Sequence, residues 1–229
     1  SISSGQVLQE PYDYEKTKLI VREMTDLLVL DLVDKRLVTD QIVLTIGYDI
    51  ANLSNKADSS SCNNYDHAGN NKSRDSIGSK KSTHRAYTGE ITIDRYGRKV
   101  PKHAHGTANL GRYTSSTRII MDAVMELYDR IIDPSLLTRR ITVVANRVCD
   151  ESKMQESEQF EQLDLFTDYQ AKAKEKKKED EALSKERKLQ EAMISVKKKY
   201  GKNAMLKGMN LEEGATTISR NNQIGGHKA

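Results

Sequence analysis

Phenylalanine and tryptophan are scarce in this chain, which has two Phe and no Trp among its 229 residues. Cysteine is equally rare, and Cys62 and Cys149 alone cannot build the disulfide framework of a small secreted domain. The sequence also lacks an apolar run long enough to span a membrane, and no signal peptide opens it. These absences favour a reducing, cytoplasmic location, and we expect no membrane partner.

The composition indicates one modest core together with much solvated chain. Hydrophobic residues make up 36% and charged residues 31% of the sequence. The net charge of +4 is mild, so a nucleic-acid-binding surface would require local clustering of basic groups. The chain begins with Ser1 rather than Met, and we therefore expect it to be a piece of a longer protein.

The first 50 residues follow the order strand, helix, strand. Residues 2–8 are compatible with a short strand, and Asp13 is a candidate N-cap for a helix from Tyr14 to about Lys35. Helical spacing predicts one buried stripe, formed by Ile20, Met24, Leu27, Leu28 and Leu32. Alternation predicts a second strand, with Ile42, Leu44, Ile46 and Tyr48 on its buried face.

A polar segment separates this half from the next. Residues 52–86 are rich in Asn, Ser, Asp, Lys and Gly, which predicts an insertion or mobile loop. The residues on either side of Arg95-Tyr96-Gly97 predict a small hairpin, and a strand should follow from Ala104 to Arg112.

The second half repeats the order strand, helix, strand. Thr114-Ser115-Ser116 is a cluster of capping residues, and the helix after it should end at Asp133-Pro134. Apolar residues alternate again over residues 141–145, in a last strand that ends near Cys149. The order βαββαβ predicts an α+β domain over residues 1–150, with one antiparallel sheet and both helices on one of its faces.

Residues 151–229 carry no strand signal and form a predicted tail. A charged amphipathic helix is expected at about 172–200, with Leu189, Met193, Val196 and Tyr200 as its apolar stripe. That stripe could pack back on the domain or bind a partner. The segment from Leu206 to Ala229 is rich in Gly and Asn, and we expect it to be flexible.

A pentapeptide in the tail indicates a docking motif. Residues 162–166 read Gln-Leu-Asp-Leu-Phe inside a stretch of Gln, Glu, Ser and Lys, and both Phe residues of the chain, Phe160 and Phe166, lie there. Bulky apolar groups on a polar tether are suited to a pocket on another protein. The alternative is a chance apolar run or the last packed segment of the preceding domain.

These features together resemble a known family. Ser1-Ile2-Ser3-Ser4-Gly5, the βαββαβ order and the junction around residues 114–117 resemble the little-finger domain of Y-family translesion DNA polymerases of the bacterial UmuC/DinB (ImpB/MucB/SamB) type. The pentapeptide resembles the motif by which bacterial polymerases and repair proteins hold the sliding clamp, and it stands where the family places that motif. Lys102-His-Ala-His-Gly106 and the segment from Glu186 to Ala229 resemble a Gram-positive branch. The resemblance covers essentially the whole chain.

The resemblance implies that the open face of the sheet grips template-primer DNA through its phosphates, as the parent enzyme copies past lesions in DNA repair and the SOS response. The expected DNA-binding residues are Ser3, Ser4, Lys102, His103, His105, Arg112, Ser115, Ser116 and Thr117. The helix start at 115–117 is an intrinsic anion site, and plain N-capping is its alternative. The expected clamp-binding residues are Gln162, Leu163, Asp164, Leu165 and Phe166.

The family's catalytic carboxylates belong to a palm domain that precedes the little finger. We see no strand-borne acidic cluster in this sequence, so we expect no catalytic residue and no cofactor here, with Mg²⁺ held by the palm of the parent polymerase. We also expect no metal site, because Cys62-x₄-His67 and His103-x-His105 lack a paired cysteine motif.

Other partners and functions stay open. By family analogy, a recombinase filament or an accessory subunit could bind the charged helix. Two rivals to the polymerase interpretation are a stand-alone clamp-binding adaptor and a generic ferredoxin-like nucleic-acid-binding module whose pentapeptide is coincidental.

Overall fold

A computed structural model describes residues 1–56, 87–154, 169–224 and 227–228. The main sheet contains β1 (Ile2–Tyr12), β2 (Leu37–Tyr48), β5 (Ala104–Thr114), β6 (Thr138–Asn146) and the short β7 (Cys149–Asp150). Two small hairpins pair β3 (Ile91–Ile93) with β4 (Lys99–Pro101) and β8 (Gln223–Ile224) with β9 (His227–Lys228). The helices are α1 (Tyr14–Asp34), α2 (Thr117–Ile131), α3 (Tyr169–Tyr200) and α4 (Thr217–Asn221). Short 3-10 helices cover Ile50–Lys56, Glu151–Met154 and Gly208–Leu211.

The sheet runs in the order β1-β6-β2-β5, and each neighbouring pair is antiparallel. β6 lies between β1 and β2, so the two strands of the first βαβ half are separated by the last strand of the second half. The expected α+β architecture with an antiparallel sheet is confirmed. The predicted hairpin around Gly97 is confirmed as well, since β3 and β4 pair from Ile91 with Pro101 to Ile93 with Lys99.

Alternation in the strands buries one face of the sheet. In the register of β2 and β6, Ile42 lies opposite Ala145 and Leu44 opposite Val143, and all four are fully buried. The side chains of both α1 and α2 belong to the same core cluster, so both helices cover this one face. Removing such side chains from water stabilises the fold by roughly 1.5–3 kcal/mol each.

Helix α1 begins where the sequence predicts it. The Asp13 side chain accepts a hydrogen bond from the Lys16 backbone N–H at 2.9 Å and caps the helix. Four members of the predicted stripe are buried, and Leu27 is half-buried.

Helix α2 is tied to α1 by the Tyr128 hydroxyl, which donates to the Tyr14 carbonyl oxygen at 2.7 Å. Burial raises the pKa of Tyr128, so this hydroxyl stays protonated and able to donate.

Helix α2 crosses very close to strand β5. A Cβ atom on Gly106 would lie 2.8 Å from both Leu127 Cδ1 and Ile131 Cγ2. The lack of a side chain at this position therefore allows the helix to approach the strand.

Part of the polar insertion is ordered against the sheet. Asn52, at the start of the predicted 52–86 segment, is buried and donates from its side chain to the carbonyl oxygens of Asp49 and Leu137, at 2.8 and 2.9 Å. The insertion therefore begins later than predicted, and residues 57–86 lie outside the described part of the chain.

The end of the chain differs from the flexible tail that its composition predicts. Residues 201–224, here called the C-terminal strap, pack against α1 and β1. The centre of this contact is Glu23 of α1, which is 2% exposed. Its carboxylate accepts hydrogen bonds from Asn210 Nδ2 at 2.9 Å and from the Thr216 backbone N–H at 2.8 Å. At the edge strand, Arg220 donates to the Ser4 hydroxyl oxygen at 3.0 Å.

Helix α3 packs on the domain, which confirms one of the two interpretations of the charged helix, but only two of the four residues of the predicted stripe face the domain. Leu189 is 61% and Tyr200 67% exposed, whereas Met193 is buried and Val196 half-buried. Instead, the docking face contains Glu186, Arg187, Gln190, Met193 and Ile194. Polar residues carry most of this contact, so hydrophobic periodicity could not locate it.

Replacing Gly106 by Ala tests the close approach of α2 to β5. The new methyl group would collide with Leu127, which is 1% exposed and has no room to swing away. We expect the free energy of unfolding in urea to fall by about 1–3 kcal/mol. Gly5→Ala is the matched control, because its Cβ would meet only Thr142 Oγ1 at 3.8 Å. Equal stability of the two variants would contradict this packing.

Replacing Glu23 by Gln tests the strap. An amide has a single acceptor oxygen and cannot serve all the donors that converge on this carboxylate, and leaving such groups unpaired costs about 1–3 kcal/mol. We expect faster amide hydrogen exchange over residues 203–224 together with lower stability. Glu126→Gln, at an exposed position in the middle of α2, should change neither property. Unaltered exchange in the strap of the Glu23→Gln variant would refute this role.

Candidate nucleic-acid interface

The second face of the sheet carries no helix layer in the described part of the chain. Its side chains come from the strand positions that alternate with the core positions. From the strand register, these residues are Ser3 and Val7 on β1, Arg140, Thr142, Val144 and Asn146 on β6, Gln41, Val43 and Thr45 on β2, and His105, Thr107 and Asn109 on β5. We call these residues the open face. None of these described positions carries a carboxylate, and Arg140 is the charged member.

Hydrogen bonds order the polar side chains at one end of the open face. Gln41 Nε2 donates to Asn109 Oδ1 at 2.9 Å, and Arg147 Nη2 donates to the same oxygen at 3.0 Å. Nearer the other end, Thr45 Oγ1 lies 2.9 Å from His105 Nδ1. These bonds link neighbouring strands, so the side chains stand in fixed positions before any ligand arrives.

Arg140 is the positive group on the central strands. It lies opposite Gly47 of β2 and Val7 of β1. A Cβ on Gly47 would lie 3.2 Å from the Arg140 Cβ, so the glycine leaves space beside the arginine. The Arg140 side chain is exposed. A guanidinium there can reach an anion that lies across the sheet.

The structure brings only some of the predicted DNA-binding residues to this face. Ser3 and His105 are both on it, on opposite edge strands, which three strand spacings put about 14 Å apart. His103 lies just before β5, with its ring centroid 6.3 Å from that of His105. Ser4 faces the helix layer instead, because it pairs with the buried Val143 and is bonded to Arg220.

The two predicted basic residues are paired with carboxylates. Lys102 Nζ lies 2.7 Å from Glu90 Oε2 at the base of the hairpin, and this hydrogen bond raises the pKa of Lys102. Arg112 Nη2 lies 2.5 Å from Glu179 Oε1 of α3. Lys102 and Arg112 must each give up or share the paired carboxylate before they can hold a phosphate.

The start of α2 is an anion site of the predicted kind, but its ligand belongs to the chain itself. Ser116 is the N-cap, and its hydroxyl donates to Glu186 Oε2 at 2.7 Å. The Arg118 backbone N–H donates to Glu186 Oε1 at 2.9 Å. Gln190 Nε2 binds the Ser115 carbonyl and the Thr117 hydroxyl, at 3.0 and 2.9 Å. The cluster at 115–117 therefore lies beneath α3.

Several other sequence predictions concern segments that the structure leaves undescribed. The pentapeptide 162–166, with Gln162, Leu163, Asp164, Leu165 and Phe166, lies outside the described residues, as do Cys62 and His67. Helix α3 begins at Tyr169, three positions after the pentapeptide ends.

The described acidic residues do not fit a Mg²⁺ site. In residues 1–56, 87–154 and the described tail, no three His, Cys, Asp or Glu side chains converge in a way that could hold a metal ion. Asp26, for example, is instead bound to Lys207 at 2.5 Å. None of the helices in this part of the chain is both long enough and apolar enough to span a membrane.

Comparison with protein-family models gives no match for the chain. No curated protein matches it either.

The sequence did not point to the open-face residues of the central strand β6. Arg140 and Thr142 were not among the predicted contacts, although their position follows from the alternation of Ile141, Val143 and Ala145. Gln41 and Asn109 could be found only from the register of β2 and β5, because 68 positions separate them in sequence.

Proposed function

We propose that this chain is the DNA-gripping and clamp-docking C-terminal portion of a Y-family, error-prone DNA polymerase that acts in damage tolerance. The observation that carries the proposal is the open face, a mainly polar sheet surface with Arg140 at one end of its central strand β6 and no carboxylate among its described members. A duplex presents rows of phosphates, and a surface of this composition complements them.

The chemistry of the open face suits phosphate contact rather than base reading. Ser, Thr, Asn, Gln and Arg side chains are the usual hydrogen-bonding partners of phosphate and sugar oxygens. No Tyr, Phe or Trp stands among the open-face residues, and aromatic side chains are the platforms on which single-stranded bases stack. A grip that ignores base identity is what an enzyme working on damaged templates requires.

In this proposal the chain positions DNA while the chemistry belongs to another part of the parent enzyme. The open face would lie along the template-primer backbone, and the pentapeptide 162–166 would tether the chain to the sliding clamp. Gln162 would bond in a polar subsite while Leu165 and Phe166 fill an apolar pocket. Burial of these two side chains is worth roughly 1.5–3 kcal/mol each, and ordering the tether offsets part of it. An affinity on the order of micromolar, which suits exchange of polymerases on one clamp, then requires that hydrogen bonds from Gln162 and the extended backbone supply the remainder.

The main rival is a nucleic-acid-binding module with no polymerase attached. It would use the same open face and would not need the clamp. DNA binding alone therefore supports both functions, and clamp binding separates them.

Arg140→Ala tests the open face. Loss of one phosphate contact should weaken duplex binding and reduce the slope of log K against log salt concentration by about 1. Fluorescence anisotropy with a labelled duplex at several salt concentrations measures both quantities. Arg22→Ala removes the same charge from an exposed position on α1, on the helix layer, and should leave the slope unchanged. Equal effects of the two variants would mean that the open face is not the interface.

Leu165→Ala/Phe166→Ala tests the clamp motif. We expect the unaltered chain to bind a bacterial sliding clamp in surface plasmon resonance with micromolar affinity, and the double variant to lose binding. Leu189→Ala/Tyr200→Ala is a suitable control, since it also removes two large apolar groups from the tail at exposed positions. If the unaltered chain does not bind the clamp, the pentapeptide is coincidental and the rival module is preferred.

A further inference from the structure

The hairpin of β3 and β4 lies at the end of the sheet where the open face carries Arg140 and His105. The second strand of the hairpin continues through His103 into β5, and the His103 ring centroid lies 6.3 Å from that of His105. Because β2 and β5 are antiparallel, β5 begins beside the end of β2, where Gly47 lies opposite Arg140. The hairpin therefore adjoins one end of the open face.

The turn of the hairpin is held in one conformation by Asp94. The carboxylate oxygen Oδ1 of Asp94 accepts hydrogen bonds from the backbone N–H groups of Tyr96 and Arg98, at 2.8 and 2.9 Å. Gly97 has a φ of 77°, in the left-handed region that favours glycine. We call residues 94–98 the hairpin tip. The backbone of the tip is thus preorganised before any ligand arrives.

Tyr96 provides an exposed aromatic ring at the tip. The residue is 79% exposed, and Arg98 Cζ lies 5.2 Å from the ring centroid, so the guanidinium covers one face of the ring in a cation–π contact. Asp94 Oδ2 accepts from Arg98 Nε at 2.8 Å and holds the guanidinium in this place. The other face of the ring is open to solvent. Exposed aromatic rings, with arginine beside them, are the surfaces on which unpaired bases stack.

The charge of the hairpin matches a polyanion. Arg95 and Lys99 are exposed, and neither has a carboxylate within ion-pairing distance in the described part of the chain. The acidic residue of the tip, Asp94, is turned inward, with its side chain 19% exposed. Phosphates on either side of a stacked base would therefore meet two cations without an exposed carboxylate between them.

We propose that the hairpin tip binds an unpaired base of a single-stranded nucleic acid. Tyr96 is the stacking surface, and Arg95 and Lys99 contact the flanking phosphates. The inference rests on the proposed function for its setting, a single strand that leaves a duplex on the open face and passes the end of the sheet. The open face holds phosphates and has no aromatic group, whereas the tip holds a base. Stacking is indifferent to base identity, because every base has a π face.

Tyr96→Ala tests the tip with two labelled probes, a blunt duplex and the same duplex with a single-stranded overhang of about six nucleotides. We expect the variant to bind the overhang duplex about 5- to 30-fold more weakly, through loss of one base–aromatic stack, and to bind the blunt duplex unchanged. An overhang of abasic sites keeps the phosphates and lacks the bases, so the unaltered chain should bind it as weakly as Tyr96→Ala binds the normal overhang. Tyr96→Phe keeps the ring and should keep the affinity.

Tyr200→Ala is the matched control. Tyr200 is 67% exposed and also carries a cation, with Lys199 Nζ 5.1 Å from its ring centroid, but it lies at the end of α3. This variant should leave the binding of both probes unchanged. Equal effects of Tyr96→Ala and Tyr200→Ala would overturn the proposal, and so would a loss of affinity in Tyr96→Phe as large as that in Tyr96→Ala.

A labelled single strand without a duplex separates this inference from the proposed function. If Arg140→Ala weakens binding of the blunt duplex while Tyr96→Ala changes nothing, the open face keeps its function and only the tip is refuted. If the chain binds the single strand through Tyr96 but does not bind the blunt duplex, the tip keeps its function and the duplex grip is refuted. If neither probe binds, both proposals fail.

Discussion

One-sided burial of the sheet is the constraint on which the rest of this structure depends. Apolar residues alternate along β2 and β6 so that one face of the central strands is aliphatic, whereas the other is mostly polar with Val43 and Val144 as its apolar members. A shift of either strand by one residue would reverse the two faces and expose the core. Both helices must therefore lie on the same side. The opposite side is left with side chains that bond across strands and to solvent.

The elements after the domain attach to it largely through carboxylates at helix starts, with Met193 and Ile194 of α3 as apolar contacts beside them. Glu23 of α1 accepts hydrogen bonds from the backbone N–H groups of Thr216 and Thr217, where α4 begins. Glu186 of α3 accepts one from the Arg118 N–H, in the first turn of α2. In each case a negative group meets the positive end of a helix dipole and satisfies backbone donors that have no partner within their own helix. The two contacts differ in solvation, because Glu23 is 2% exposed whereas Glu186 is half-buried. The strap contact at Glu23 is thus shielded from water more fully than the α3 contact at Glu186.

How much the sequence predicts depends on which force holds an element in place. Where hydrophobic burial decides, as in α1 and in the strands that carry Ile42 and Ile141, the predicted elements agree with the structure, because local periodicity reports that burial directly. Where hydrogen bonds between distant segments decide, composition misleads. The strap is rich in Gly and Asn, yet it is ordered by a bond from Asn210 to a glutamate 187 positions earlier. Similarly, the face of α3 that docks contains Gln190, which no apolar stripe could reveal.

The same distinction bears on how charge is distributed in this nearly neutral chain. Lysine and arginine exceed aspartate and glutamate by only four, so the chain as a whole creates little long-range attraction. Carboxylates are nevertheless placed unevenly: they are absent from the described open-face positions and are used elsewhere as internal ligands, such as Glu23 for the strap and Glu186 for α2. In the proposed function, the grip on a phosphate backbone therefore depends on Arg140 and the polar side chains around it rather than on the net charge of the chain.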